Sequence, residues 1–301
     1  MKITNKLLNS FIKDFNIPIN VYEEKIFKEQ LKVLGFEKEF EDFNNILSNF
    51  KDEEEYFIYR RKLQDNVINY IKNLDAYKEN IISQKYDFYF GETRINKDIR
   101  FSFPFNIDKN LYTEKNLNKK YISIDIRSAN FQVFRFAGVL DFFDYQSLMS
   151  KFDIFDYFYK SKNIRQIIFG NLNPKTTTTI QKHIMKSLLD TVIKTNPGLD
   201  FETIILNNDE IILSYDESID LSFLEDTNFD FRIETFVLKD IRDKKDKLFY
   251  YKDFKDRKIL YTVPKIVYIQ AYKKLHNLKI NEDDLLFHYE GARVKFLENQ
   301  F

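Results

Sequence analysis

The sequence predicts an α+β fold in three stretches. These are a mainly helical N-terminal region with an irregular connection over residues 1–119, a mixed core over 120–220, and an α/β extension over 221–301. Three observations predict it. Apolar residues recur at helical spacing in the first stretch. Short alternating segments flank one long helical pattern in the second. A further set of alternating segments, then one helical pattern, fills the third.

In the first stretch, Val21, Ile26, Phe27, Leu31 and Leu34 fall near one stripe of a helix. Residues 53–78 carry Phe57, Arg61, Leu63, Val67, Ile68 and Ile71 at helical spacings. Arg60, Arg61 and Lys62 would suit a phosphate backbone, and they would equally suit the solvated face of an ordinary helix. Residues 89–120 lose the period. Pro104 and several Asn-Lys and Asp-Lys pairs predict an irregular connection with one or two short strands. Arg94, Lys97 and Arg100 bring positive charge just before the core, as an active-site rim or as a solvated loop.

The core is the informative part. Residues 121–125 (YISID) alternate as a strand ending in Asp125, and residues 128–135 (SANFQVFR) begin a helix. A carboxylate there is fixed by the sheet yet exposed at its edge; a plain helix N-cap region is the simpler alternative. Residues 151–170 form an amphipathic segment with Lys160, Lys162 and Arg165 ahead of Phe169 and Gly170. After a break at 171–175, Pro174 and the threonine run start a helix over 176–194. Ile180, Ile184, Leu188 and Val192 would face the core, whereas the Thr176–Thr179 face and Lys182 would face a cleft. His183 reads as structural or exposed. Strands at 201–206 and 211–215 enclose Asn207, Asn208, Asp209 and Glu210, a tight hairpin with acidic residues at its turn. In the third stretch, strands fall at 231–238, 248–251 and 258–261. A helix runs over 265–275, and residues 284–297 form a strand and turn or a closing helix.

Composition narrows the chemistry. There are no cysteines, so disulfides, thiolate metal sites and cysteine nucleophiles are excluded. His183, His276 and His288 stand too far apart in sequence for a metal-binding spacing, which leaves carboxylates and a hard metal ion. Six glycines form no phosphate-binding loop or dinucleotide fingerprint. Lys+Arg and Asp+Glu balance at 47 each, so any basic groove must be local. No run approaches the roughly eighteen apolar residues of a membrane span, and the amphipathic start lacks a signal-peptide pattern. The expectation is a cytoplasmic protein without a membrane partner.

Taken in order, four segments resemble the palm and the base of the fingers of family A DNA polymerases. SIDIRSANFQVFR is similar to the first palm motif, and KNIRQIIFG to the end of the fingers helix. TTTTIQKHIMKSLLDTV is similar to the following palm helix, and ILNNDEIIL to the late acidic hairpin. The resemblance covers about residues 121–215. It implies a polymerase-like palm with shortened fingers that carries out template-directed nucleotidyl transfer. Asp125 and Asp209 would bind two Mg²⁺ ions, or Mn²⁺, with Glu210 as the acidic neighbour. Lys162 and Arg165 would hold the incoming phosphates, and Phe169 would pack against the incoming nucleotide. Arg94, Arg100, Lys175 and Lys182 would contact nucleic acid. The implied partners are nucleic acid, nucleoside triphosphates and an accessory protein.

The chain also departs from the pattern. Asn130 replaces a glutamate, Asn208 replaces a histidine, and Asn173 replaces a tyrosine. Gly170 and Thr176 almost meet, and the N-terminal stretch holds no proofreading domain. A non-catalytic nucleic-acid-binding or structural palm-like protein therefore stays open, as does a metal-dependent nuclease or other phosphoryl transferase. So does a plain structural or protein-interaction domain.

Overall fold

The computed structural model describes residues 2–152 and 155–301. The N-terminal region holds α1 (Asn5–Phe15), α2 (Glu24–Leu34), α3 (Glu37–Leu47) and α4 (Glu53–Asn73). Local chemistry sets their ends. The Thr4 side chain accepts the Leu7 amide at the start of α1, and Asp52 accepts the Glu55 amide at the start of α4. Glu53, Glu54 and Glu55 add negative charge at the positive end of the α4 dipole. Gly35, at φ 76°, closes α2 in the left-handed conformation that glycine adopts without strain. Phe11, Phe27, Phe40 and Phe43 interlock at ring separations of 5.1–6.3 Å to form the core among these helices.

One polar cluster sits inside this aromatic core. Asp14 is fully buried and takes both terminal nitrogens of Arg60 at 2.6 Å. It also accepts the Tyr157 hydroxyl at 2.7 Å and the Ser161 hydroxyl at 2.6 Å. Arg60 gives further hydrogen bonds to Ser10 and Tyr56. The contact joins α1 and α4 to α7 (Asp156–Lys160) and α8 (Lys162–Gly170). Arg60 is thus an interior residue, whereas Arg61 and Lys62 are exposed. The amphipathic segment expected over 151–170 divides at Ser161, whose hydroxyl oxygen caps α8 by accepting the Ile164 amide. Asp153 and Ile154 of that segment lie outside the described residues.

A π-helical turn (Tyr77–Ile82) follows α4, and a hairpin of β1 (Asp87–Phe90) and β2 (Thr93–Asn96) begins the connection. The main sheet is six-stranded and antiparallel, in the order β4-β5-β3-β6-β7-β8. Its strands are β3 (Lys120–Ile126), β4 (Ile204–Leu206), β5 (Glu210–Ser214), β6 (Phe231–Arg242), β7 (Leu248–Phe254) and β8 (Lys258–Tyr261). Alternation along β3 sorts its side chains. Ile122, Ile124 and Ile126 enter the main core together with Ile180, Ile184 and Leu188 of α9 (Pro174–Thr195). Tyr121 enters a second core with Phe236, Ile212 and Leu111. Asp125 is the penultimate residue of β3, at the end of a strand flanked by β5 and β6. Three further short helices complete the mixed region: α5 (Ala129–Phe136), α6 (Tyr145–Ser150) and, after β8, α10 (Tyr268–Leu275).

The fold is α+β, as the sequence predicts. Because β6 pairs directly with β3, the boundary expected at 220/221 falls within one continuous sheet. β6 also runs four residues past 238, because its backbone stays paired with β7 as far as Arg242, opposite Leu248. Residues 284–297 resolve to a hairpin of β9 (Leu286–Tyr289) and β10 (Ala292–Lys295), which returns to the N-terminal region through His288 N–H to the Asn20 carbonyl. Among the described residues no helix is long and apolar enough to cross a membrane.

Arg60→Ala would leave the fully buried Asp14 carboxylate without its cation. The expected cost is about 3–5 kcal/mol, read as a lower urea midpoint, against a change within about 0.5 kcal/mol for exposed Lys62→Ala.

Candidate active site

The site forms where β3 ends. Asp125 lies opposite Glu210 on β5 and opposite Arg232 on β6. The hairpin tip is tied to this strand end, since the Ile126 amide donates to the Asp209 carbonyl at 2.9 Å. Asp209 is therefore one residue removed from the Asp125 pairing row. Beyond Ile126 the chain turns sharply through Ser128, which takes left-handed angles (φ 50°, ψ 42°) unusual for a residue with a side chain. Buried Gln132 holds the turn. Its Nε2 donates to the carbonyls of Arg127 (2.6 Å) and Asp230 (3.0 Å), and its Oε1 accepts the Asp230 amide. This bridges the start of α5 to the start of β6. The Ser128 side chain makes no cap bond to α5, so the positive end of that helix opens toward the site.

Around this strand end lies an open cleft of about 580 Å³. Asp125 and Asp209 line it together with four cations: Arg127, Lys162, Arg165 and Arg232. The contribution of α8 follows from helical spacing. Lys162, Arg165 and Gln166 stand at i, i+3 and i+4 and so share one face. Across the cleft, α9 supplies Gln181, whose Nε2 donates to Asn130 Oδ1 at 2.8 Å.

The three acidic groups sit in different electrostatic settings. Burial pushes the Asp125 carboxyl up to about 6; Arg232 opposes the shift, and Asp209 and Glu210 add to it. Arg232 holds only Oδ2 of Asp125, at 2.8 Å, and also reaches Glu234 at 3.4 Å. Burial, then repulsion from Glu210, raises the Asp209 carboxyl, while its own backbone amide and the Lys162 charge pull it down. Glu210 is the most tightly held. One carboxylate oxygen accepts the Ser123 hydroxyl at 2.7 Å and the nearly buried Lys252 ammonium at 3.0 Å. Arg165 has no carboxylate partner among the described residues. Burial lowers its pKa, and its guanidinium rests over the Tyr145 ring at 5.6 Å.

Among the described residues, no three acidic or histidine side chains are grouped to hold a metal ion. Asp125 is half-buried and Asp209 exposed at the hairpin tip; two such carboxylates nonetheless suit Mg²⁺, which commonly takes one or two carboxylates and completes its shell with water and phosphate oxygens. The donor chemistry of Asp125 and Asp209 fits such an ion if Arg232 yields its oxygen.

The remaining expected site residues lie elsewhere. Phe169 does not line the cleft. It is 2% exposed and packs on Phe134 and Tyr145. Arg94 pairs with Asp87 on the β1–β2 hairpin, and Arg100 donates to the nearby carbonyls of Lys97 and Ile99. Lys175 and Lys182 are exposed on α9 outside the cleft lining. Thr176 and Thr177 are buried, and none of Thr176–Thr179 lines the cleft. Arg232, Lys252 and Gln132 escape sequence reading because each acts across a strand pairing or turn that local pattern does not specify.

In the folded chain Asp125 ionises at a higher pH than in the unfolded one. Its cost to stability is absent below about pH 4, grows up to about pH 6 and stays constant above. Asp125→Asn is therefore expected to stabilise the protein by on the order of 1–2 kcal/mol at pH 8. In thermal melts the gain should vanish as pH falls to 4.

Comparison with known proteins finds no family model, no curated relative and no solved structure that matches this chain.

Proposed function

We propose that the cleft carries out metal-dependent nucleotidyl transfer, in which a polymerase-like palm with reduced fingers extends a nucleic-acid end along a template. One observation carries this reading. Asp125 and Asp209 face the same cleft as Arg165, which has no carboxylate partner among the described residues, and the start of α5, which Ser128 does not cap. Carboxylates beside free donors and cations suit a triphosphate accompanied by divalent ions, and they suit neither ligand alone.

Each residue then has a task. Arg165 would take phosphate oxygens through its planar fork, and Lys162 would add a flexible point charge. The amides at the start of α5 would donate to the same anion. Asp125 and Asp209 would hold the divalent ions, which polarise the phosphoryl group and ease deprotonation of the attacking hydroxyl. The new bond joins the 3′-oxygen to the α-phosphorus, and the bond to the departing pyrophosphate breaks. Tyr145, with Phe169 behind it, would keep Arg165 aimed at the phosphates.

The engagement of Glu210 by Ser123 and Lys252 weighs against the nuclease reading, which needs a third free carboxylate. The Arg232–Asp125 pair favours a second reading, a palm-like protein that binds nucleic acid without catalysis. In that case Arg232 would be a permanent substitute for the metal charge.

Primer extension separates the two. With Mg²⁺ or Mn²⁺ and deoxy- or ribonucleotides, the unaltered protein is expected to lengthen a labelled primer on a template. Asp125→Asn and Asp209→Asn should each reduce extension at least about a hundredfold while remaining folded. Extension that persists in both variants contradicts the site assignment. No extension by the unaltered protein, with oligonucleotide binding intact, favours the non-catalytic reading.

A further inference from the structure

A second concavity, of about 340 Å³, lies among α1, α4 and α8. Its basic members are Lys6, Lys13, Arg60 and Arg61, and no acidic residue lines it. Two of the four are already neutralised, Arg60 by buried Asp14 and Lys6 by Glu53 at 3.1 Å. Lys13 and Arg61 are exposed and have no carboxylate partner among the described residues. The groove therefore presents two uncompensated positive charges.

An independent observation comes from Gln64, which also lines the groove. Its Nε2 is buried and makes no hydrogen bond in the described structure. Leaving such a donor unsatisfied costs about 1–3 kcal/mol, which an acceptor entering the groove would relieve. Ser10 and Arg60 form a floor already fixed by the Asp14 cluster, so the donors and cations above it stand on a rigid base.

The groove is also joined to the cleft. Asn163 and Ile167 of α8 line the groove, whereas Lys162, Arg165 and Gln166 line the cleft. At 3.6 residues per turn these faces are roughly 130° apart on one helix. A chain of phosphates leaving Lys162 would cross one helix edge and meet Arg61 and Lys13 next.

We infer that this groove binds the phosphodiester backbone of an unpaired nucleic-acid strand running on from the cleft. The inference rests on the cleft accepting phosphates, and it does not depend on the cleft catalysing transfer. Two exposed cations beside an unsatisfied amide donor suit the phosphates of one strand. Recognition here is electrostatic and independent of sequence.

The test is fluorescence anisotropy of a labelled single-stranded 20-mer across a salt series, comparing the unaltered protein with the Lys13→Gln/Arg61→Gln double variant. Both side chains are exposed, and an unchanged melting temperature verifies folding. The double variant is expected to bind at least tenfold more weakly. Its log–log salt slope should be shallower by about 1.4, from two lost phosphate contacts at about 0.7 each. Gln64→Leu, which removes the buried donor, should weaken binding without changing the slope. Unchanged affinity and slope in the double variant overturn the inference, as does an absence of binding by the unaltered protein. Pyrophosphate titrated as a probe distinguishes the other phosphate source: if the double variant loses only pyrophosphate affinity, the groove is a small-anion site and the strand inference fails. Weakened oligonucleotide binding by the double variant, in a protein that extends no primer, upholds the groove and rejects the catalytic reading alone.

Discussion

The ion pair between Asp14 and Arg60 is the constraint on which the rest of the architecture depends. Four helices meet on it: two hydrogen bonds tie Asp14 of α1 to Arg60 of α4, one to Tyr157 of α7 and one to Ser161 at the start of α8. Removing two charges from water is costly, and such a pair seldom adds net stability over a well-packed apolar substitute. Its contribution here is geometric. Asp14 fixes the Ser161 hydroxyl, which caps α8, and α8 then presents Lys162 and Arg165 to the cleft. An apolar replacement would fill the volume without setting the angle or rotation of that helix. The same contact forms the floor of the basic groove on the neighbouring face of α8.

The cleft works against this rigid frame. Burial and repulsion from neighbouring carboxylates, Glu210 in both cases, hold Asp125 and Asp209 above the usual carboxylate range, and Ser128 is bent into a left-handed turn at the start of α5. Such costs accumulate where function requires charges that folding alone would avoid. Each acidic group has one nearby cation: Arg232 for Asp125, Lys162 for Asp209 and Lys252 for Glu210. The three pairings differ in kind. Lys252 is almost fully buried against the Phe236 and Tyr261 rings, so its pairing with Glu210 is structural. Arg232 is half exposed and shared with Glu234, so its hold on Asp125 can be exchanged for another cation at small cost.

Much of the site was legible in the sequence because its signals are local. An aspartate ending an alternating strand, a short acidic hairpin turn, and basic residues three apart on an amphipathic segment each declare their placement without knowledge of the partner. Asp125, Asp209, Lys162 and Arg165 consequently converge as the sequence suggests. Non-local pairing accounts for most of what was missed. Arg232 reaches Asp125 only because β6 pairs with β3, 107 residues away in sequence. Arg60 reads as a surface charge because Asp14 lies 46 residues upstream. Phe169 illustrates a different limit, since an aromatic residue on an amphipathic helix carries no mark of whether it faces ligand or core. The fold class was legible from periodicity. The continuity of the sheet across residues 220 and 221 was not, because strand order depends on contacts that periodicity does not encode.

The most direct measurement is a crystal structure with Mn²⁺ and a non-hydrolysable nucleoside triphosphate, located by anomalous scattering. The account predicts Mn²⁺ in contact with both Asp125 and Asp209, the triphosphate against Arg165 and Lys162, and Arg232 withdrawn from Asp125. Asp125 still paired with Arg232, with no Mn²⁺ in the cleft at saturating metal and nucleotide, would contradict it.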